Sequence, residues 1–261
     1  MNRIESKFKE LKKKNKKAFI AFITAGYPNL GTTEDLIKEF NKIDVDILEL
    51  GVPFTDPMAD GSMIQEASQQ ALKRKVRLID ILDLVKRARR TVNIPICLMT
   101  YYNPIFCFGE EKFIKRAREC GVDGVIVPDL PPEEGKDLIK AANKAGIDII
   151  CFLAPTSGLD RIKMVARVAK GFIYYVSLTG VTGARNKLPL DLKKKLKLIK
   201  KITDKPVCVG FGVSTRAQVK EVQKFSDGVI VGSAIVRKIK ENIAKKGLQK
   251  KVSEFAKGLK G

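Results

Sequence analysis

Eight short apolar runs, separated by longer amphipathic stretches, constrain the fold of this chain more than any other feature. Each run has the length of a buried β-strand. The runs lie at 18–24, 45–50, 94–100, 122–127, 147–153, 172–176, 207–210 and 228–231. Apolar residues recur with helical spacing between them, at 30–41, 62–72, 79–91, 110–120, 133–145, 160–169, 190–202, 215–225 and 235–243. Strands alternating with helices over about 250 residues predict an α/β fold, a (β/α)8 TIM barrel.

Two additions to the basic barrel are predicted. Ile4, Phe8 and Leu11 repeat at helical spacing before the first strand, so an extra N-terminal helix should cover one end of the core. The connection after the second strand holds an extra helix, at 62–72, where Ser62 and Gln65 predict a capping box. We expect one barrel domain over residues 1–261. A doubly wound sheet is the alternative, but no Gly-x-Gly-x-x-Gly follows the first strand.

A short internal repeat supports the barrel. The segment Asp-Gly-Val-Ile-Val at 123–127 recurs at 227–231, four strand–helix units later. Two half-barrels would place strands 4 and 8 in equivalent positions, although five residues are a short repeat.

Composition excludes several kinds of chemistry. The sequence contains no histidine, so imidazole zinc sites, Ser-His or Cys-His nucleophiles and histidine bases are ruled out. The five cysteines form no C-x-x-C pair, and we interpret them as reduced packing residues. No apolar run approaches the ~20 residues of a membrane span, and no signal peptide is evident. These features predict a cytoplasmic, soluble protein.

The charge balance raises the question of a polyanionic partner. Lysine and arginine together number 50 against 29 acidic residues, a formal net charge of +21. The lysines are spread over polar faces of predicted helices, and only 7% of residues are aromatic. This distribution favours solvated helix faces over a nucleic-acid site.

Carboxylates mark the end of the second strand. Glu49 closes the run at 45–50, and the loop that follows carries Asp56 and Asp60 among turn residues. Active sites of barrels lie at the C-terminal ends of strands, where two carboxylates could move protons to and from one substrate. The spacing alone leaves open that Glu49 merely reaches solvent. The absence of lysine at the strand ends argues against Schiff-base and pyridoxal phosphate chemistry.

Glycines after strands 6, 7 and 8 predict a phosphate site. They lie in the segments 180–183, 210–214 and 232–233. Loops after strands 7 and 8 and a helix N-terminus commonly bind phosphate in barrels. The apolar and aromatic side chains at other strand ends either line a pocket for a flat group or belong to the barrel core.

Several motifs together resemble the tryptophan synthase α subunit family across nearly the whole chain. The most specific is LELGVPFTDPMADG at 48–61. The others are AFITAGYP at 21–28, LMTYYNP at 98–104, VPDLP at 127–131, GVTGAR at 180–185, GFG at 210–212 and GSA at 232–234.

The resemblance implies a reaction and a site. The family cleaves indole-3-glycerol phosphate to indole and glyceraldehyde 3-phosphate by a retro-aldol reaction. By similarity, Glu49 is the proton donor and base, and Asp60 accepts the indole N–H. The matching phosphate-binding residues are Thr182, Gly183, Phe211, Gly212, Gly232 and Ser233, and the matching ring-binding residues are Phe22, Leu98, Tyr101 and Tyr174.

The resemblance also implies a partner. Family members pass indole to a β subunit, as an α2β2 heterotetramer, and the pyridoxal phosphate belongs to that subunit, so no cofactor is expected here. Pro53 and Asp56 match the face that docks on it. The chain is not expected to bind a metal, a nucleic acid or a membrane. Two alternatives are another phosphate-binding barrel enzyme, such as an epimerase or isomerase, and a non-catalytic polyanion-binding or β-activating module.

Overall fold

The chain folds into a closed barrel of eight parallel strands, which confirms the predicted fold. The structure is a computed structural model that describes residues 2–177, 190–210 and 212–261, except the side chains of Leu190 and Asp191. Each strand pairs with the next along the chain, and the first pairs with the eighth. The strands are β1 Ala18–Thr24, β2 Ile47–Gly51, β3 Ile96–Met99, β4 Gly124–Ile126, β5 Asp148–Leu153, β6 Ile173–Val176, β7 Val207–Gly210 and β8 Gly228–Val231.

Helices surround the barrel, and the described residues form twelve of them. They are α1 Arg3–Lys13, α2 Leu30–Lys42, α3 Ser62–Lys73, α4 Leu78–Ala88, α5 Tyr102–Phe108, α6 Glu110–Cys120, α7 Lys136–Ala145, α8 Leu159–Val168, α9 Leu190–Ile202, α10 Arg216–Gln223, α11 Ser233–Lys240 and α12 Leu248–Lys260. The extra helices α1 and α3 are where the sequence predicted them. Helices α5 and α12 were not predicted from the sequence.

Helix α1 packs across the N-terminal end of the barrel. Its Ile4, Phe8 and Leu11 are buried, as their spacing predicted. The Cδ1 atom of Ile4 lies 2.8 Å from where a Cβ atom on Gly124 would be, at the start of β4. The ring of Phe8 lies 5.9 Å from that of Phe172, just before β6. These contacts close this end of the core with apolar side chains.

The repeated segments occupy equivalent places. Asp123 precedes β4, and its Oδ2 accepts a hydrogen bond of 2.9 Å from the backbone N–H of Ile96, the first residue of β3. Asp227 precedes β8 and accepts one of 3.0 Å from Val207, the first residue of β7. The sequence repeat therefore corresponds to one hydrogen bond made twice, four strands apart.

Two local predictions were wrong. The capping box at Ser62 does not form, because the N-cap of α3 is Gly61 and the Gln65 side chain donates instead to the backbone carbonyl of Asp60, at 2.9 Å. Cys107 is exposed, while the other four cysteines are buried packing residues and all five are free thiols.

Within the described ranges, none of the helices has the length and apolar character that a bilayer span requires.

Candidate active site

Glu49 lies in the interior of the barrel rather than at a solvent-exposed strand end. It is the third residue of β2, paired with Phe22 on β1 and Cys97 on β3, and its exposed fraction is 0%. Neither carboxylate oxygen has a hydrogen-bond partner among the described residues. Burial raises the pKa of Glu49 to about 8, because an ionised carboxylate loses its hydration there. At neutral pH this carboxyl group holds a proton that it can give away.

Asp60 lies in the loop after β2, where its side chain forms a hydrogen bond with Tyr101, two residues after the end of β3. Its side chain is partly buried, and burial raises its pKa to about 6. A hydrogen bond from the hydroxyl group of Tyr101 opposes this increase. Two carboxyl groups of one site therefore have different pKa values, the pattern that separates a proton donor from an ionised acceptor.

Phe22 spans the mouth of the barrel between two glycines. Its Cζ atom lies 2.5 Å from the point that a Cβ atom on Gly51 would occupy, at the end of β2. Its Cδ1 atom lies 3.3 Å from the corresponding point on Gly232, just after β8. The ring therefore connects the carboxylate side of the site with the predicted phosphate side, and it fits there because both neighbours lack side chains.

Tyr174 projects into the same interior from β6. It pairs with Phe152 on β5 and Cys208 on β7, and the Phe152 ring lies 4.8 Å from its own. Burial and the nearby carboxyl groups of Glu49 and Asp60 raise the pKa of Tyr174 well above its usual value. The phenol stays neutral beside the acids.

The strand register conflicts with the ring-binding prediction for Leu98. Leu98 pairs with Leu50, and Met99 pairs with Gly51. Since side chains alternate between the two faces of a strand, Leu98 lies on the face opposite to Glu49 and packs outside the barrel. Met99, which was not among the predicted site residues, lies on the Glu49 face. A one-residue error at a strand end reverses the face, and the pairing with β2 is the signal that corrects it.

The predicted phosphate site is described only in part. Gly232 precedes α11, and Ser233 is the exposed first residue of that helix. Gly212 is exposed and has a φ of +77°, a left-handed conformation that favours glycine. Free N–H groups in the first turn of α11 suit an anion. Thr182, Gly183 and Phe211 lie outside the described residues.

The two predicted interface residues differ in exposure. Pro53 is buried within the chain, whereas Asp56 is exposed. Met58 is 82% exposed, and it stands beside Asp56 on the outer surface of the same loop. Of the two predicted residues, Asp56 is therefore the one that a partner could reach.

Comparison with known proteins gives one consistent result. The family described as tryptophan synthase alpha chain matches residues 8–260. A tryptophan synthase alpha chain from Geotalea daltonii is 48% identical over 260 residues, which cover 100% of this chain and 98% of that one. One from Thermoanaerobacter sp. strain X514 is 45% identical, with 100% and 99% covered.

Solved structures agree with the sequence matches. Tryptophan synthase subunit alpha from Legionella pneumophila superposes with a TM-score of 0.93 at 37% identity, covering 100% of this chain and 97% of that one. A chain of the aminoacrylate-bound tryptophan synthase from M. tuberculosis gives 0.87 at 30% identity, covering 99% and 100%.

Proposed function

The chain belongs to the tryptophan synthase alpha chain family, and on that premise we propose how its residues perform the family's reaction. That reaction is the lyase step of tryptophan biosynthesis, in which indole-3-glycerol phosphate is cleaved to indole and glyceraldehyde 3-phosphate. We assign the chemistry to Glu49 and Asp60. The observation that carries the assignment is the fully buried Glu49 carboxyl group, which retains its proton at neutral pH.

Glu49 acts first as an acid and then as a base. The protonated carboxyl group gives its proton to C3 of the indole ring, which becomes an indolenine. The resulting carboxylate then accepts the proton of the glycerol hydroxyl group as the C3–C3′ bond breaks. Burial supports both steps, because it raises the pKa toward neutrality, where one group can donate and accept protons.

Asp60 stabilises the charge that develops on the ring nitrogen. Its pKa of about 6 leaves it ionised at neutral pH, so it can accept the indole N–H while positive charge builds up on the ring. Its position, hydrogen-bonded to Tyr101 beside the mouth of the barrel, supports this role.

The remaining residues position the substrate. Phe22, Tyr101, Tyr174 and Met99 would bound the indole ring, with Met99 replacing the Leu98 of the sequence prediction. Gly212, Gly232 and Ser233 would bind the phosphate through backbone N–H groups, and we retain Thr182, Gly183 and Phe211 as further candidates by family resemblance.

A β subunit is the partner of this chain, as the family's assembly into tryptophan synthase implies. We propose that the subunits form an α2β2 heterotetramer, that Asp56 lies at the contact, and that Pro53 supports the loop from within. We also propose a cytoplasmic location and a single barrel domain over residues 1–261. The pyridoxal phosphate of the complex belongs to the β subunit, so the α reaction requires no cofactor.

The decisive experiment is single-turnover release of indole from indole-3-glycerol phosphate by wild type and Glu49→Gln. Positioned proton transfer contributes about 10²- to 10⁴-fold, and Glu49 serves two transfers. We expect Glu49→Gln to lose at least about 10⁴-fold in turnover while still binding a non-cleavable analogue. Retention of more than about a tenth of wild-type turnover would contradict the assignment.

A further inference from the structure

The loop that carries Asp60 (the β2–α3 loop, residues 52–61) is bound to the end of β3. At its start, the backbone N–H of Val52 donates to the carbonyl oxygen of Met99, at 2.8 Å. Two residues later, the ring of Phe54 stacks on that of Tyr101, with centroids 5.1 Å apart and planes inclined by 25°. The segment 99–101 therefore supports the beginning of the loop.

The far end of the loop is held by the same tyrosine. The hydroxyl oxygen of Tyr101 accepts a hydrogen bond of 2.9 Å from the backbone N–H of Ala59. The hydroxyl proton is donated to the carboxylate of Asp60. Tyr101 is only 3% exposed, so both bonds form away from bulk water, where they are stronger.

These contacts occupy the polar group of Tyr101 and one face of its ring. A phenol hydroxyl has one proton to donate, and Asp60 receives it. Phe54 covers one side of the ring. A role limited to lining the indole pocket would require neither contact.

We propose that Tyr101 is a positioning residue for Asp60, which it holds, together with the β2–α3 loop, in the geometry that the reaction requires. The inference rests on the proposed function, since it assigns Tyr101 a role in that reaction through Asp60. The hydroxyl group orients the carboxylate and stabilises its ionised form, while the ring holds the loop through Phe54.

The test compares Tyr101→Phe with Tyr102→Phe. The first variant keeps the ring and its stacking on Phe54 but removes both hydrogen bonds. Tyr102 is the adjacent residue, and its ring packs on Phe106, 5.9 Å away, on α5. Tyr102→Phe is therefore the matched control, and we expect it to behave as wild type.

We expect Tyr101→Phe to lower kcat at least about tenfold, because truncating a hydrogen bond to a charged group costs about 1.5–3 kcal/mol. KM should change by less than threefold. The acid limb of the kcat–pH profile should move to higher pH, since the hydroxyl group stabilises ionised Asp60. This shift should be absent in an Asp60→Asn background, because no carboxyl group then titrates.

Three results would overturn the proposal. The first is an unchanged kcat. The second is a rise in KM alone, which would make the hydroxyl group a substrate contact. The third is a fall in kcat with an acid limb that does not move, which would indicate a general structural effect. If wild type and Tyr102→Phe also fail to release indole, the proposed function fails instead, so the two failures are distinguishable.

Discussion

The hydroxyl oxygen of Tyr174 lies 2.5 Å from the point that a Cβ atom on Gly210 would occupy. The Cε1 and Cζ atoms of the ring lie at 2.7 and 2.8 Å from the same point, so the ring and not only its polar tip fills the space. Tyr174 can therefore take its place in the barrel only beside a glycine.

Gly210→Ala should displace Tyr174 and lower the free energy of unfolding by about 1–3 kcal/mol, as overpacking typically does. Because Tyr174→Leu would free the same space, the double variant should lose less stability than the sum of the two single variants. Urea unfolding of the two single variants and the double variant measures these losses in the free energy of unfolding. Gly258→Ala is the control, since its Cβ atom meets nothing within 4 Å on α12, and it should stabilise by about 0.4–1 kcal/mol. Strictly additive losses would show that the contact does not limit packing.

Glu49→Gln should make the protein more stable at neutral and alkaline pH. The pKa of Glu49 rises from 4.5 to about 8 on folding, so the folded state holds a proton that the unfolded state has lost. Its contribution to stability therefore falls as pH rises through this window. Glutamine does not ionise and removes this dependence, so the stability of the variant relative to wild type should increase by about 3–5 kcal/mol from about pH 5 to about pH 8. A difference that is constant with pH in urea unfolding would contradict the raised pKa.

The kcat/KM–pH profile should be bell-shaped, because kcat/KM depends on the pKa values of the free enzyme. Asp60 must be ionised and Glu49 protonated at the start of the reaction, and their pKa values are about 6 and about 8. The rate should therefore fall below about pH 6 and above about pH 8. Steady-state indole release across this range is the measurement. The phosphate group of the substrate titrates near pH 6 too, so Asp60→Asn is the control. A surviving acid limb in that variant would assign it to the substrate.

Gly232→Val should weaken phosphate binding. A valine side chain would hold the anion away from the backbone N–H groups at the start of α11, and it would also press on Phe22, 3.3 Å from the new Cβ atom. We expect a higher KM and weaker binding of glyceraldehyde 3-phosphate. Inorganic phosphate does not occupy the ring pocket. Its affinity, measured by calorimetry, therefore reports the loss of contact with the backbone N–H groups separately from the displacement of Phe22. Unchanged phosphate affinity would place the site elsewhere.

Asp56→Ala should reduce activation by the β subunit more than the basal rate. Asp56 is exposed, and its Oδ2 accepts a 2.5 Å hydrogen bond from its neighbour Thr55, so the substitution leaves the core untouched. Indole release with and without the β subunit measures both rates. Glu254→Ala, an exposed acid on α12, is the control and should change neither. Equal loss of both rates by Asp56→Ala would argue against a coupling role for this loop.

The strands could be predicted from the sequence because their patterns are local, and the same apolar run placed Glu49 on the second strand. Strands β1, β7 and β8 have the predicted bounds, since each apolar run there ends at a glycine or a turn. Helix α5 was not predicted from the sequence. Its Pro104 lies in the first turn, where proline is tolerated because the N–H has no partner there. Helix α12 had a usable signal in Leu248, Val252, Ala256 and Leu259, which lie at helical spacing and are buried.

Other properties of the site depend on contacts between distant segments. The pKa of Glu49 follows from burial by strands on both sides, which its own segment does not reveal. Met99 can be distinguished from Leu98 only through the pairing of β3 with β2. The need for glycine at positions 51 and 210 arises from the aromatic rings of Phe22 and Tyr174, which come from neighbouring strands.

The position of α1 has a consequence for the order in which the protein folds. Asn2 donates hydrogen bonds to the backbone carbonyl groups of Asp123 and Gly146, 121 and 144 residues further along the chain. Phe8 packs on Phe172, which is more distant still. Domains begin to form during synthesis as the chain emerges, and contacts of high sequence separation form late. Helix α1 must therefore wait for more than half of the chain before its binding surface exists, and a nascent chain that stops before Phe172 carries α1 without the ring that covers Phe8.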